Sequence, residues 1–193
     1  MSIMNEIESR RARRGLSTES VDERAVAGLV YAATLAPSCF NSQPWRIVAV
    51  KNEAAGAQAE AMRAALTLGN AWAQRAAWFL VLCTAAHLDG RLEEGRDYAY
   101  FDLGQAAMAL QIQAQHEGLI AHPMAGFSPS KVRAALSIPK EIVPLVVVAV
   151  GKPGPTDALS DKQKADEDSP RTRKPMEEVV YQGNFGTPFS TLP

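Results

Sequence analysis

Two groups of residues in this chain have the types and spacing to do chemistry. The first is Arg10-Arg11-Ala12-Arg13-Arg14, four arginines in five positions. Such a cluster is a solvated basic face, a nucleic-acid arm, or a phosphate site, the last because a guanidinium fork donates paired hydrogen bonds to phosphate oxygens. The second is the run from Ala36 to Trp45, Ala-Pro-Ser-Cys-Phe-Asn-Ser-Gln-Pro-Trp. Its two prolines exclude a regular element, since proline lacks the amide donor and restricts its predecessor. Ser38, Asn41 and Gln43 bring donors and acceptors, and Phe40 and Trp45 bring flat apolar surface. A planar heteroaromatic ligand with polar edges needs that mixture, although aromatics in such a loop can equally plug a core. Cys39 has no base tied to it by sequence and reads as a small apolar filler. His87, His116 and His122 lack a second ligand at metal spacing.

The elements that must position these groups follow from periodicity. A short helix is expected from about Ser2 to Arg14. A second runs from about Val21 to Leu35, capped by Ser20 or Asp22, and delivers the proline-bounded loop. A strand follows at Arg46 to Val50, then a helix capped by Asn52 reaching about Leu68, a short helix at Asn70 to Ala77, and a continuously apolar strand, Trp78 to Thr84. The longest helix spans about Leu92 to Glu117, with apolar residues on more than one face, as a central core helix or one packed on its twin would have. The stretch Leu119 to Phe127 reads as a buried strand ending in a glycine turn. Ser128 caps a helix stopped by Pro139, and Val143 to Val150 forms a last strand. Beyond Gly151 apolar residues thin out, so 156–170 reads as an exposed linker, and Arg171-Thr172-Arg173-Lys174-Pro175 by composition is further solvated charge. Helices alternate with about four strands and there are no internal repeats, so the fold class is α/β, a three-layer α/β/α sandwich with a central mixed sheet.

At 193 residues the chain is long enough for one well-buried core and short for two. A formal net charge of −1 gives no general attraction to nucleic acid or acidic membranes. The start lacks an apolar leader and the longest apolar run is too short to span a bilayer, so a cytoplasmic protein is expected. Cys39 and Cys83 form no CxxC. Neither a G-x-G-x-x-G nor a P-loop string occurs.

Read as written, Ala32-Ala33-Thr34-Leu35-Ala36-Pro37-Ser38-Cys39-Phe40-Asn41-Ser42-Gln43-Pro44-Trp45-Arg46 resembles the signature of the flavin-dependent nitroreductase family. The N-terminal arginines resemble that family's R-R-S-x-R string, Gly118 to Phe127 its GL-x-x-x-P-x-x-G-F segment, and Arg171 to Pro175 its C-terminal R/K-x-R-x-P element. The likeness runs from about Arg10 to Val180. It implies that Arg10, with Arg11 beside it, meets the FMN phosphate and that Arg14 faces the ring, while Ala12 departs from the usual serine. Arg171 and Arg173 would close the phosphate site. Pro37, Ser38 and Asn41 would reach the isoalloxazine ring across a dimer interface. Asn70 is a weaker match for a ring contact, helix capping being its other job. Along Pro123, Met124, Ala125 and Gly126, the Met124 side chain would pack on the ring, Ala125 would offer its N–H near N5, and Gly126 would let the backbone approach. His122, beside them, would be a proton donor or a packing residue.

The resemblance further implies one FMN-binding domain over 1–155, with 171–193 contributing phosphate contacts and an arm on the partner of a homodimer. It implies an FMN-dependent oxidoreductase that passes hydride from NAD(P)H through flavin N5 to a nitroaromatic, quinone or similar small electrophile by a ping-pong mechanism. Relatives of the fold that reduce enones, dehalogenate or use oxygen are the alternative, as is a non-catalytic flavin-binding protein. Neither nucleic acid nor a membrane is an expected partner.

Overall fold

The computed structural model describes residues 2–90 and 93–189. The helices are α1 (Asn5–Ser9), α2 (Glu23–Thr34), α3 (Ala57–Ala65), α4 (Tyr98–His116), α5 (Pro129–Leu136) and α6 (Asp161–Asp168). The strands are β1 (Arg46–Lys51), β2 (Trp78–Thr84), β3 (Ile120–Met124) and β4 (Val143–Gly151). The sheet has the order β1-β2-β4-β3, with β1 and β3 at its edges. Among the described residues all three pairings are antiparallel. The parallel pairing that a mixed sheet requires is not among them.

β2 explains the layers. All seven of its residues are buried, because successive side chains point to opposite faces and both faces are covered. Phe79, Val81 and Cys83 join a core cluster with Met62 of α3 and Val132 of α5. Trp78, Leu80 and Leu82 join a second cluster with Leu29 of α2 and with Leu103 and Leu110 of α4. The result is the expected three-layer α/β/α arrangement around a four-stranded sheet.

Several local expectations change. The first helix stops at Ser9, and Arg10 is already extended, at φ −57 and ψ 129. Backbone groups that a helix would satisfy internally are taken by distant partners: Arg171 donates to the Arg10 carbonyl and Arg14 N–H donates to Glu167. Asn52 does not cap α3, which begins after Gly56. Its side chain donates to Gln74 and Ala76 carbonyls and accepts from Arg63. Leu92, where the longest helix was expected to begin, lies outside the described residues, and α4 starts at Tyr98. The helix α5 ends before Pro139, at a left-handed Ser137 with φ 52. Within 156–170, the expected exposed linker, lies α6, held by a Ser160–Gln163 capping box and with Glu167 buried. A highly charged segment still docks when its charges meet opposite charges, which composition alone does not reveal. No helix among the described residues is long and apolar enough to cross a membrane.

α4 buries Ala99, Asp102, Leu103, Ala106, Leu110 and Ala114, one stripe at helical spacing. Its other side carries Phe101, 61% exposed, together with exposed Gly104 and half-buried Met108 and Ile112. Within one chain that apolar side is only partly covered.

Candidate functional site

The N-terminal arginines come together with residues 169–173 although about 160 positions separate them in the chain. Leu16 bridges to Pro153 at the end of β4 and is fully buried. Ser17 N–H donates to Lys152 at 3.0 Å and Gly154 N–H to Gly15 at 2.9 Å. A β-carbon on Gly154 would stand 2.1 Å from Ser17 N, so only glycine permits this approach. Fixed in this way, Arg10, Arg11, Ala12 and Arg14 line a cavity of about 300 Å³ whose opposite wall holds Arg171 and Arg173.

The electrostatics of this cavity are those of an anion site. Burial, then the neighbouring charges of Arg171 and Arg173, push the Arg10 pKa down. Its Nη1 reaches Gln111 Oε1 at 3.4 Å, and its buried Nε has no hydrogen-bond partner. Arg171 donates to the Ile7 carbonyl at 3.4 Å and to that of Arg10; Arg173 donates to the Thr172 carbonyl at 2.7 Å. Like charges gathered this closely repel unless an anion lies among them. The partners that sequence reasoning missed come from α6. Glu167 accepts from Arg14 N–H at 2.7 Å and pairs with Arg13 at 3.8 Å, while Asp166 pairs with Arg14 at 3.5 Å. The signal for them was the acidic run Asp166-Glu167-Asp168 within a few residues of Arg171.

The β3 segment adjoins this cavity. His122 Nδ1 is 2.9 Å from the Arg13 carbonyl, and since a carbonyl only accepts, Nδ1 carries the proton. Its ring lies 4.6 Å from that of Trp72. Burial holds the His122 pKa below its ordinary value, so the folded protein resists protonating it. The unfolded chain binds that proton first, so stability present above about pH 6.5 is lost as pH falls below it. Urea denaturation at pH 7.5 and pH 5.5 should show that loss in the wild-type chain and a smaller one in His122→Asn. An equal loss in both would assign it to other groups.

Further along, the Met124 side chain is 2% exposed within the core. It therefore presents no face to a ligand, contrary to the expected packing on a ring, because residues 120, 122 and 124 of β3 share the α3/α5 side of the sheet. Ala125 is exposed and Pro123 half-buried. Gly126 is needed, but its close neighbours are protein: a β-carbon there would stand 2.6 Å from Asn70 Nδ2 and 2.7 Å from Thr67 Oγ1. Both side chains donate to the Gly126 carbonyl, at 2.9 and 3.0 Å. Asn70 thus caps no helix and instead shapes the turn after β3.

The proline-bounded loop is built separately. Cys39–Asn41 forms a 3-10 turn, and Phe40, Asn41 and Gln43 all have positive φ, at 51, 58 and 48. Left-handed backbone costs a non-glycine residue about 1–2 kcal/mol, so three such residues need external support. Ser38 Oγ accepts from Gln43 N–H at 3.0 Å, Thr84 donates to the Pro44 carbonyl at 3.0 Å, and Asp102 of α4 accepts from Cys39 N–H at 2.9 Å. Asp102 is 1% exposed; a lone acid within the apolar run from Tyr98 to Ala114 was the clue to it. Trp45 is buried in the core and offers no surface, whereas Phe40 is 83% exposed and Pro37 and Asn41 are exposed. Burial, with Asp89 and Asp102 nearby, pushes the Cys39 thiol pKa up, which agrees with a filler rather than a nucleophile.

The loop leads into β1 and the turn at 125–126 leaves β3, at opposite edges of the sheet. Three strand spacings, about 14 Å, lie between. The expected site residues therefore fall into two separate groups within one chain: Arg10, Arg11, Ala12, Arg14, Arg171 and Arg173 with the 123–126 segment and Asn70 toward one side, and Pro37, Ser38 and Asn41 toward the other. In a larger cavity of about 510 Å³, lined among others by Lys51, Asn52, Glu53 and Arg63, Lys51 pairs with Glu53 at 2.7 Å and Arg63 donates to Asn52 at 2.6 Å.

The chain is 31% identical, over 89% of its length and 91% of the relative's, to an NADH dehydrogenase of Thermus thermophilus. It is 30% identical to protein DrgA of Synechocystis over 63% of this chain and 69% of that one. A solved oxidoreductase containing FMN superposes with a TM-score of 0.83 at 26% identity, covering 97% of this chain and 94% of the other. A nitroreductase of Desulfovibrio desulfuricans solved in complex with FMN superposes with a TM-score of 0.75, at 18% identity over 94% of this chain and 96% of that one. The nitroreductase family model matches residues 7–152, the span that holds the N-terminal arginines, the strained loop and the whole sheet; the chain belongs to the nitroreductase family.

Proposed function

We propose that the protein is an FMN-dependent oxidoreductase that acts as a homodimer, each of two sites combining the arginine half-site of one copy with the loop of the other. The observation that carries this is the arginine cavity, with its buried, partnerless Arg10 Nε and several guanidiniums in its wall. A phosphate monoester matches that donor set in charge and in geometry. The polar, planar loop surface of Phe40, Asn41 and Ser38 matches a heteroaromatic ring, and the uncovered apolar side of α4 matches a second copy. When bound, FMN supplies hydride transfer at N5, from NADH or NADPH to a nitroaromatic, quinone or similar electrophile.

The chain's own residues do the rest. Arg10, Arg171 and Arg173 bind the anionic tail and fix the cofactor's register. Arg14 places positive charge next to the site, and the exposed backbone at Ala125 supplies a polar edge. The loop carrying Ser38 and Asn41 covers the ring and restricts water. In this reading no side chain attacks the substrate, and the buried His122 holds the arginine segment in place.

The test is a visible spectrum with sedimentation analysis. The expected protein is a dimer that is yellow, or gains flavin absorbance on adding FMN, and is bleached by NADH or NADPH without oxygen. A colourless monomer that leaves the FMN spectrum unchanged would overturn the proposal.

A further inference from the structure

α6 ends on Asp166, Glu167 and Asp168 with no basic residue in its last turn. Acids at a helix C-terminus face the negative end of the macrodipole and are placed unfavourably there. Something outside the helix must hold them. For Glu167 the partner is clear: it is buried, accepts Arg14 N–H and pairs with Arg13, so it fastens α6 to the arginine segment. Asp166 is different. It is half exposed, lines the arginine cavity, and its carboxylate meets Arg14 only at 3.5 Å.

A carboxylate in the wall of a cavity built to attract anions works against binding. We infer that Asp166 is a resident counter-ion: paired with Arg14 in the cavity wall, it offsets the arginines' charge while the cavity is without phosphate, turns away when a phosphate group enters among Arg10, Arg171 and Arg173, and so lowers the affinity of the site. The inference deepens the FMN reading and rests on it for the identity of the phosphate. Two physical points support it. An exposed ion pair of this length is weak and easily exchanged, whereas a bidentate guanidinium–phosphate contact is among the strong charge-assisted pairs. Without any internal anion, Arg10, Arg11, Arg14, Arg171 and Arg173 would face one another with only carbonyls to moderate their repulsion; the Arg10 pKa, lowered first by burial, is lowered further by the charges of Arg171 and Arg173. Asp166 therefore stabilises the unliganded cavity at the expense of the liganded one.

The sign of the expected effect sets this apart from ordinary site residues. Asp166→Asn keeps the shape, and the residue is exposed enough for the chain to fold. FMN titrated into the variant, followed by quenching of flavin fluorescence, should bind about tenfold more tightly than to wild type, the scale expected for removing one charge near a dianion. Riboflavin, which has the ring without the phosphate, should bind both proteins equally. Without ligand the variant should melt below wild type, and inorganic phosphate should raise its melting temperature by more. Asp168→Asn, at the same helix end but outside the cavity wall, should leave the FMN affinity and the phosphate-induced rise in melting temperature unchanged. An unchanged or weaker FMN affinity in Asp166→Asn overturns the inference, weaker binding marking Asp166 as a direct acceptor for a ligand hydroxyl. Wild-type protein that binds no FMN overturns the FMN reading instead, and the phosphate melting series then still decides the role of Asp166.

Discussion

Gly154→Ala should lower the melting temperature by roughly 6–20 °C and abolish FMN binding, though residue 154 lies outside the candidate cavity. The added methyl would stand 2.1 Å from Ser17 N, 2.4 Å from the Leu16 carbonyl carbon and 2.5 Å from Ser17 Cα. All three are backbone atoms, which cannot rotate away as a side-chain tip would. Separating the two segments breaks the Gly154-to-Gly15 and Ser17-to-Lys152 hydrogen bonds, each worth about 1 kcal/mol. It also exposes Leu16, whose full burial is worth about 1.5–3 kcal/mol. A total of about 3–5 kcal/mol corresponds to that temperature shift in a chain of this size. The arginine segment hangs from this junction, so Arg10 to Arg14 lose their register against Arg171 and Arg173. Thermal denaturation and FMN titration of the variant check both halves; a wild-type melting temperature would show that the segment is not pinned there.

Asp102→Ala is expected to cost about 2–3 kcal/mol, or roughly 4–12 °C, while Asp102→Asn keeps most of the wild-type stability. The carboxylate is the buried acceptor for Cys39 N–H, at 2.9 Å, and also for Gln105 Nε2, at 3.2 Å. Alanine leaves that amide unsatisfied next to three left-handed residues that relax once their anchor is gone. Asparagine still offers one oxygen, so the amide keeps its partner. In the proposed dimer the relaxed loop would cover the cofactor poorly, and FMN should bind Asp102→Ala about tenfold more weakly. Melting curves of both variants and an FMN titration of each would test this. Equal behaviour of alanine and asparagine would mean that shape, not the hydrogen bond, is what Asp102 supplies.

The sequence by itself determined the features that depend on neighbours in the chain. Trp78 to Thr84 reads as a strand buried on both faces because six apolar residues and a threonine in succession can be satisfied in that way, and all seven are buried. Prolines flanking Ser38 to Gln43 mark a rigid polar loop, and Ser128 before Pro129 marks the start of α5, because caps and proline constraints act within a few residues. Arginines near both termini point to one anion site only through the family resemblance, which encodes a long-range contact that periodicity does not.

What tertiary structure alone decided depends on partners far away in the chain. Residues 10–14 are not helical because Glu167, Arg171 and His122 take their backbone groups. A segment with almost no apolar residues becomes α6 and docks through Glu167. Met124 turns into the core because strand register, not residue type, decides which face a side chain takes, and Trp45, just before β1, is buried in the other core cluster. The placement of the loop and the arginines at opposite edges, which splits the site between two copies in the proposed dimer, follows from the strand order β1-β2-β4-β3. Strand order is a property of the assembled sheet, set by non-local pairing that no window of sequence contains.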